Sequence, residues 1–152
     1  MLGPEANLEP ILLSAADNKR LMQAIYAAID NRDSSLFVEH LADDATWQVM
    51  GQYSWSHTFK GREAILNGLH GHVRTRIEGR PRTVAHRFIA DGELVVIEAK
   101  GDNVTKDGVR YDNDYCMVFR LQDGKMIEIR EYCDSTLTEA ALGPFPPERV
   151  PA

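Results

Sequence analysis

Three Asp-Gly pairs, Asp91-Gly92, Asp107-Gly108 and Asp123-Gly124, recur at equal intervals of 16 residues through the second half of the chain. Asp and Gly both accept the positive φ that a tight hairpin turn demands, so each pair between β-rich segments marks a reversal of the chain. The spacing predicts four consecutive antiparallel strands, at about 83–90, 93–105, 109–121 and 126–133. The segments between the turns share no residue pattern, so the interval is not an internal repeat.

Ahead of Pro81 the apolar period is helical. Ser14 or Asp17 caps a helix whose apolar positions are Leu21, Ile25, Ala28 and Ile29, and Asn31-Arg32-Asp33 ends it. Ser34 or Ser35 opens a short second helix carrying Leu36, Phe37 and Leu41. Residues 45–50 alternate as a strand with Trp47 and Val49 on one face, followed by a loop holding Tyr53, Trp55, His57 and Phe59. A third helix is predicted after Gly61, presenting Ile65, Leu69 and Val73. Gly68 and Gly71 soften it, each costing up to about 1 kcal/mol against Ala. Helices laid on one face of a strongly curved meander make an α+β fold.

The 152 residues suit a single domain, with a core at about 17–137 and a C-terminal tail at 138–152. From Gly143 that tail carries Pro144, Pro146, Pro147 and Pro151, which predicts an irregular or arm-like segment. A net charge of −6 argues against nucleic acid or an anionic membrane as partner, because phosphate binding needs a basic face. The one basic cluster, from Arg74 to Arg82, reads as a solvated loop. Cys116 and Cys133 sit in apolar patterns and read as buried reduced thiols, and no His/Cys spacing suggests a metal site. The start, Met1 to Glu5, has no basic segment leading into an apolar run, and no stretch approaches the ~20 apolar residues of a membrane span. The expectation is a soluble, cytoplasmic protein.

Candidate chemistry comes from polar residues on apolar faces. In the segment from Val109 the odd positions Val109, Tyr111, Asn113, Tyr115, Met117, Phe119 and Leu121 read as inward, with Asn113 the one strongly polar member. In the last strand Ile127, Ile129, Glu131 and Cys133 form the apolar face. A carboxylate pointing into that interior costs several kcal/mol if it stays charged and unpartnered, so Glu131 must be hydrogen-bonded or have a raised pKa. Either outcome suits an acid or base. The alternative is a buried Asn113–Glu131 pair that fixes register or a dimer interface. Val84, His86, Phe88 and Ala90 alternate so as to put His86 inward, either as a core residue or as a catalyst. Glu98, Lys100 and Asp102 share a face that reads as solvent, unless Gly101 marks a bulge that re-aims them.

The helical hairpin, strand, helix and long hairpins ending in residues 123–134 (Asp-Gly-Lys-Met-Ile-Glu-Ile-Arg-Glu-Tyr-Cys-Asp) resemble the NTF2-like superfamily. Within it they look most like the SnoaL-like and ketosteroid-isomerase-related proteins. Trp47 after Asp43-Asp44-Ala45, and Lys60-Gly61-Arg62-Glu63 leading into a helix, support the likeness over roughly residues 17–137. The resemblance implies a cone-shaped, mostly antiparallel sheet around N-terminal helices and one apolar pocket, usually in a homodimer. Limonene-epoxide hydrolases of that superfamily use an Asp–Arg–Asp set, which Asp102, Lys100 and Glu131 resemble by position. Lysine lacks the bidentate fork of arginine, and Trp47-Gln48-Val49 stands where a Tyr-x-Asn would hold the water. Ketosteroid isomerases pair a base with a tyrosine-containing oxyanion hole, which Glu131 and one of Tyr26, Tyr111 or Tyr115 resemble.

Together these features predict a cofactor-independent acid/base enzyme, an isomerase, cyclase, dehydratase or hydrolase, acting on a small apolar cyclic or carbonyl substrate. Glu131 is its acid/base, with His86 and the Asp102–Lys100 pair as further candidates. Asn113 and a pocket tyrosine hold the oxygen that gains charge. Trp47, Tyr26, Tyr111, Tyr115, Met117 and Cys133 line the site. The competing expectation is a non-catalytic ligand-binding or dimerisation module with the same fold, and a weaker third is a partner-binding transport-factor role.

Overall fold

The computed structural model describes residues 14–152; the segment at Met1–Glu5 lies outside them. Ser14 caps helix α1 (Ala15–Asp30) by a reciprocal box: its hydroxyl accepts from the Asp17 amide at 3.1 Å while Asp17 accepts the Ser14 amide at 3.1 Å. Arg32 then adopts a left-handed backbone, φ 61°, which turns the chain into α2 (Ser35–Glu39). Leu41, expected in that helix, instead begins strand β1 (Leu41–Val49), which pairs with the short β2 (Thr58–Lys60).

The helix after Gly61 starts with a π-helical stretch, Ala64–Leu69, and continues as α3 (His70–Arg76). The wider π-turn advances the side chains by about one position and brings His70 onto the inner face beside Leu69 and Val73. The meander follows as β3 (Thr83–Asp91), β4 (Leu94–Gly101), β5 (Asp114–Gln122) and β6 (Lys125–Cys133), and then come α4 (Ser135–Leu142) and a 3-10 turn (Pro147–Arg149).

The six strands form one mixed sheet in the order β2-β1-β6-β5-β4-β3, curved and unclosed. Every neighbouring pair is antiparallel except β1 with β6, where Trp47 meets Ile129 and Val49 meets Glu131. The concave face, with α1, α3 and α4, encloses the apolar core. Val95, Ile97, Met117, Phe119, Leu121, Met126 and Ile129 come from the sheet, and Met22, Ile25, Ile65 and Leu142 from the helices.

Two of the turns match the Asp-Gly expectation, at Asp91-Gly92 and Asp123-Gly124. The third lies in an irregular excursion, residues 102–113, rather than between two long strands. Val109 is therefore exposed, not inward. Gly101 marks the start of that excursion. A Cβ there would lie 3.3 Å from the Tyr111 carbonyl oxygen and 3.3 Å from the Asn103 side chain, so any other residue would push the returning chain back by a few tenths of an ångström.

Two bulges invert the alternation that the sequence suggests. His86 sits between paired Ala85 and Arg87, so the inward set is Ala85, Phe88 and Ala90, and His86 is exposed. In β6 the pairing steps from Arg120–Glu128 to Leu121–Met126, so Met126 is fully buried and Ile127 only half-buried.

The C-terminal segment is docked rather than arm-like. The Trp55 indole donates to the Gly143 carbonyl at 2.9 Å and packs edge-on against Phe145, which is buried. Cys116 and Cys133 are free and half-buried. Among the described residues no helix is long and apolar enough to cross a membrane.

Candidate active site

A cavity of about 560 Å³ lies between the concave sheet face and the helices. Its inner wall is Glu131 from β6, Tyr115 and Met117 from β5, Trp47 from β1, Tyr26 from α1, and His70 from α3. Tyr53 and Trp55 from the loop after β1, Tyr111 from the excursion, and Thr138 from α4 complete it. The opening is bordered by the α1–α2 turn, the end of α3 and the segment before β3.

Glu131 is placed by strand register. Its neighbours across the ladder are Met117 and Val49, both apolar, so neither adjacent strand offers the carboxyl a partner. Among the described residues it makes no side-chain hydrogen bond or ion pair, and its half-buried exposure is to the cavity. Loss of hydration disfavours the charged form and pushes its pKa up to about 7. The charge of Glu131 in turn helps raise the pKa of Tyr26, Tyr53, Tyr111, Tyr115 and the Cys133 thiol, each of them raised mainly by burial. All four phenols are therefore neutral hydroxyls, and they line the same cavity as Glu131.

His70 is the basic counterpart. Burial, helped by the nearby Arg74 charge, lowers its pKa to about 4, so the imidazole is neutral at physiological pH. Its ring centroid lies 4.6 Å from that of Trp47 at 89°, and Phe37 packs on it at 5.7 Å. The Trp47 indole nitrogen is buried without a hydrogen-bond partner, an arrangement that costs about 1–3 kcal/mol.

Several residues singled out from the sequence stand elsewhere. Asn113 is fully buried but spent. Its amide nitrogen reaches Thr138 Oγ1 at 3.0 Å, the Asp134 carbonyl at 3.1 Å and Tyr111 Oη at 3.2 Å, and its oxygen accepts from the Asp134 amide at 2.9 Å. It anchors α4 and orients Tyr111 rather than lining the cavity, and it is not paired with Glu131. Cys133 stands behind the wall, its sulfur 3.4 Å from Tyr53 Oη.

Asp102 belongs to a surface ion-pair chain. Arg82 bridges Asp30 and Asp102, and Arg110 bridges Asp102 and Asp112. Arg110 and Arg82 hold the Asp102 carboxyl below its usual range, which unsuits it to proton transfer at neutral pH. Lys100 faces solvent 3.5 Å from Asp114, and Glu98 pairs with Arg87 at 3.0 Å, so Gly101 does not re-aim them. His86 is outside the cavity on its bulge. Glu131, Tyr26, Trp47, Tyr111, Tyr115 and Met117 are the predicted residues that the fold does bring together.

His70 and Tyr53 were missed. The spacing of His70 three residues before Val73 put it within reach of the inward face, but only the π-turn commits it there. Tyr53 lies in a loop, where no periodicity assigns a direction.

Comparison with known proteins agrees with this architecture. The model of the SnoaL-like domain matches residues 22–129. Among curated proteins none matches the chain in sequence. An NTF2-like protein of unknown function from Burkholderia pseudomallei superposes with a TM-score of 0.70 at 21% identity, covering 82% of this chain and 96% of that one. TerC co-crystallised with polyporic acid gives a TM-score of 0.69 at 23% identity, over 82% and 97% of the two chains. A protein with a ketosteroid isomerase-like fold from Catenulispora acidiphila, in complex with trimethylamine, gives 0.65 at 20% identity, over 86% and 97%. With the family model spanning most of the α+β core and the same fold in these structures, the chain belongs to the SnoaL-like domain family, of NTF2-like fold.

Proposed function

We propose that the cavity binds a small, mostly apolar cyclic molecule bearing a carbonyl, and that Glu131 moves a proton to and from a carbon beside that carbonyl. The observation that carries this reading is the unpartnered Glu131 carboxyl, with a pKa about 7, set in an apolar wall among neutral phenols. A base is most effective when its pKa lies near the working pH, since it is then half available and still strong enough to take the proton. In the forward step the Glu131 carboxylate accepts the carbon-bound proton and the carbonyl oxygen becomes an enolate. A phenol, from Tyr26 or Tyr115, donates a hydrogen bond to that oxygen. Where the enolate is conjugated with a C=C bond, returning the proton to the far carbon completes an isomerisation; attack by the enolate carbon on a second carbonyl, whose alkoxide oxygen takes the proton back from Glu131, completes a cyclisation. Polyporic acid, with which TerC, a protein of like fold, is co-crystallised, is a cyclic molecule of the kind the reading calls for. Homodimerisation, a cytoplasmic location and independence of cofactors belong to the same proposal.

The test is deuterium exchange next to the carbonyl of 2-tetralone in heavy water, followed by proton NMR. The parent chain is expected to accelerate exchange with a rate that rises with pH and levels off above about 7. Glu131→Gln should lower it by about 10²–10⁴-fold. Binding of the ketone without exchange supports the non-catalytic ligand-binding alternative, and absence of binding overturns both.

A further inference from the structure

Three arginines border the open end of the cavity, and among the described residues too few carboxylates stand there to match them. Arg32 lies in the turn after α1, Arg74 in the last turns of α3, and Arg80 just ahead of β3. All three are exposed at the rim. The Arg32 guanidinium donates to the Arg80 carbonyl, which draws the two segments together across the mouth. Arg74 donates to the Leu66 carbonyl at 3.0 Å, which steadies its side chain over the cavity wall. Its charge is felt inside, where it helps keep His70 neutral.

Among the described residues none of the three forms an ion pair, whereas Arg62, Arg82 and Arg110 each pair with an aspartate. Among the described residues the one acid at the rim is Asp33. Its carboxylate accepts from the Ser35 amide at 2.9 Å, and Arg80 helps hold it ionised. Three positive charges against one negative is a marked local excess in a chain of net charge −6. Such an excess repels itself while the site is empty and attracts an anion. The inner end has the opposite character: a second carboxylate beside Glu131 would meet a like charge and no cation.

We infer that the ligand carries an anionic group, a carboxylate or similar planar oxyanion, held at the mouth by Arg32, Arg74 and Arg80 while its apolar cyclic body reaches in toward Glu131. The inference rests on the small-molecule reading above and narrows it from a neutral apolar compound to an amphipathic acid. Arginine suits the task because its planar fork can meet both oxygens of a carboxylate.

The experiment titrates 2-naphthoate and its neutral isostere 2-acetonaphthone onto the full chain by calorimetry at about pH 6, where Glu131 is largely protonated and naphthoate is charged. The acid is expected to bind about tenfold tighter than the ketone, with an advantage that shrinks at high salt as the exposed charges are screened. In the double variant Arg74→Gln/Arg80→Gln the ratio of the two affinities should fall to near one. Equal binding of acid and ketone by the parent, or a ratio that survives in the double variant, overturns the inference while leaving a small-molecule site in place. Failure of both compounds to bind overturns the small-molecule reading itself and the inference with it.

Discussion

At about pH 8.5, Glu131→Gln is expected to be more stable than the parent chain by on the order of 3 kcal/mol, and at about pH 4.5 the advantage should vanish. The pKa of Glu131 rises from an ordinary 4.5 to about 7 on folding, through loss of hydration. A raised carboxyl pKa means the folded state holds a proton that the unfolded state has already released. Stability is therefore complete below pH about 4.5 and is lost as pH rises through 7. Glutamine has no proton to lose and escapes that penalty. Urea denaturation at the two pH values checks the claim. An advantage that is independent of pH would mean that the carboxyl is as well solvated in the fold as outside it. A gain in stability on removing a proposed catalytic group is the expected mark of a site held at the expense of the fold.

His70→Gln should tilt the other way. Burial lowers the pKa of His70 from 6.5 to about 4, so the folded state refuses a proton that the unfolded state accepts. Its contribution is full above pH 6.5 and is lost as pH falls through about 4. The variant should gain on the order of 3 kcal/mol relative to the parent between about pH 6.5 and 4, read from the same denaturation series. The two effects interlock in the parent. Between pH 4.5 and 6.5 the folded chain holds a neutral acid and a neutral imidazole, while the unfolded chain holds the carboxylate and the imidazolium. Both states then bind the same number of protons at these two groups, so together they contribute no slope in that window. Each single variant uncovers the slope that the other residue was masking, and the double variant should be level in this respect.

The sequence disclosed the elements that depend on local chemistry. The Ser14 cap, the turns at Asp91-Gly92 and Asp123-Gly124, and the inward direction of Glu131, Tyr115 and Met117 all follow from residue type and a period of two or 3.6. What it hid depends on one extra residue in a regular element. The bulge at His86 and the π-turn before His70 exchange the fates of two histidines: the one that the alternation points inward is exposed, and the one it ignores stands in the cavity. Asn113 was rightly read as buried, but burial does not say whether a side chain faces a void or is already satisfied by its neighbours. Lys100 and Asp102 show the converse: one on the outer face of β4 and the other just past its end, both find ion pairs without any bulge to turn them.

The one parallel ladder in the sheet bears on how the molecule is made. The hairpins from β3 to β6 join segments that are neighbours in the chain, so each can close early at little loss of chain entropy. β1 reaches β6 only across the whole of the intervening sequence, and contacts of such separation are late and slow to form. Trp47 and Val49 are therefore expected to meet Ile129 and Glu131 late in folding. The same order in reverse makes β1 and β2 the edge that opens first. Native-state amide exchange should find their amides less protected than those of β4 and β5. Equal protection across all six strands would mean that the sheet opens only as a whole. On this account the wall that β1 lends to the cavity is the last part of it to form and the first to be lost.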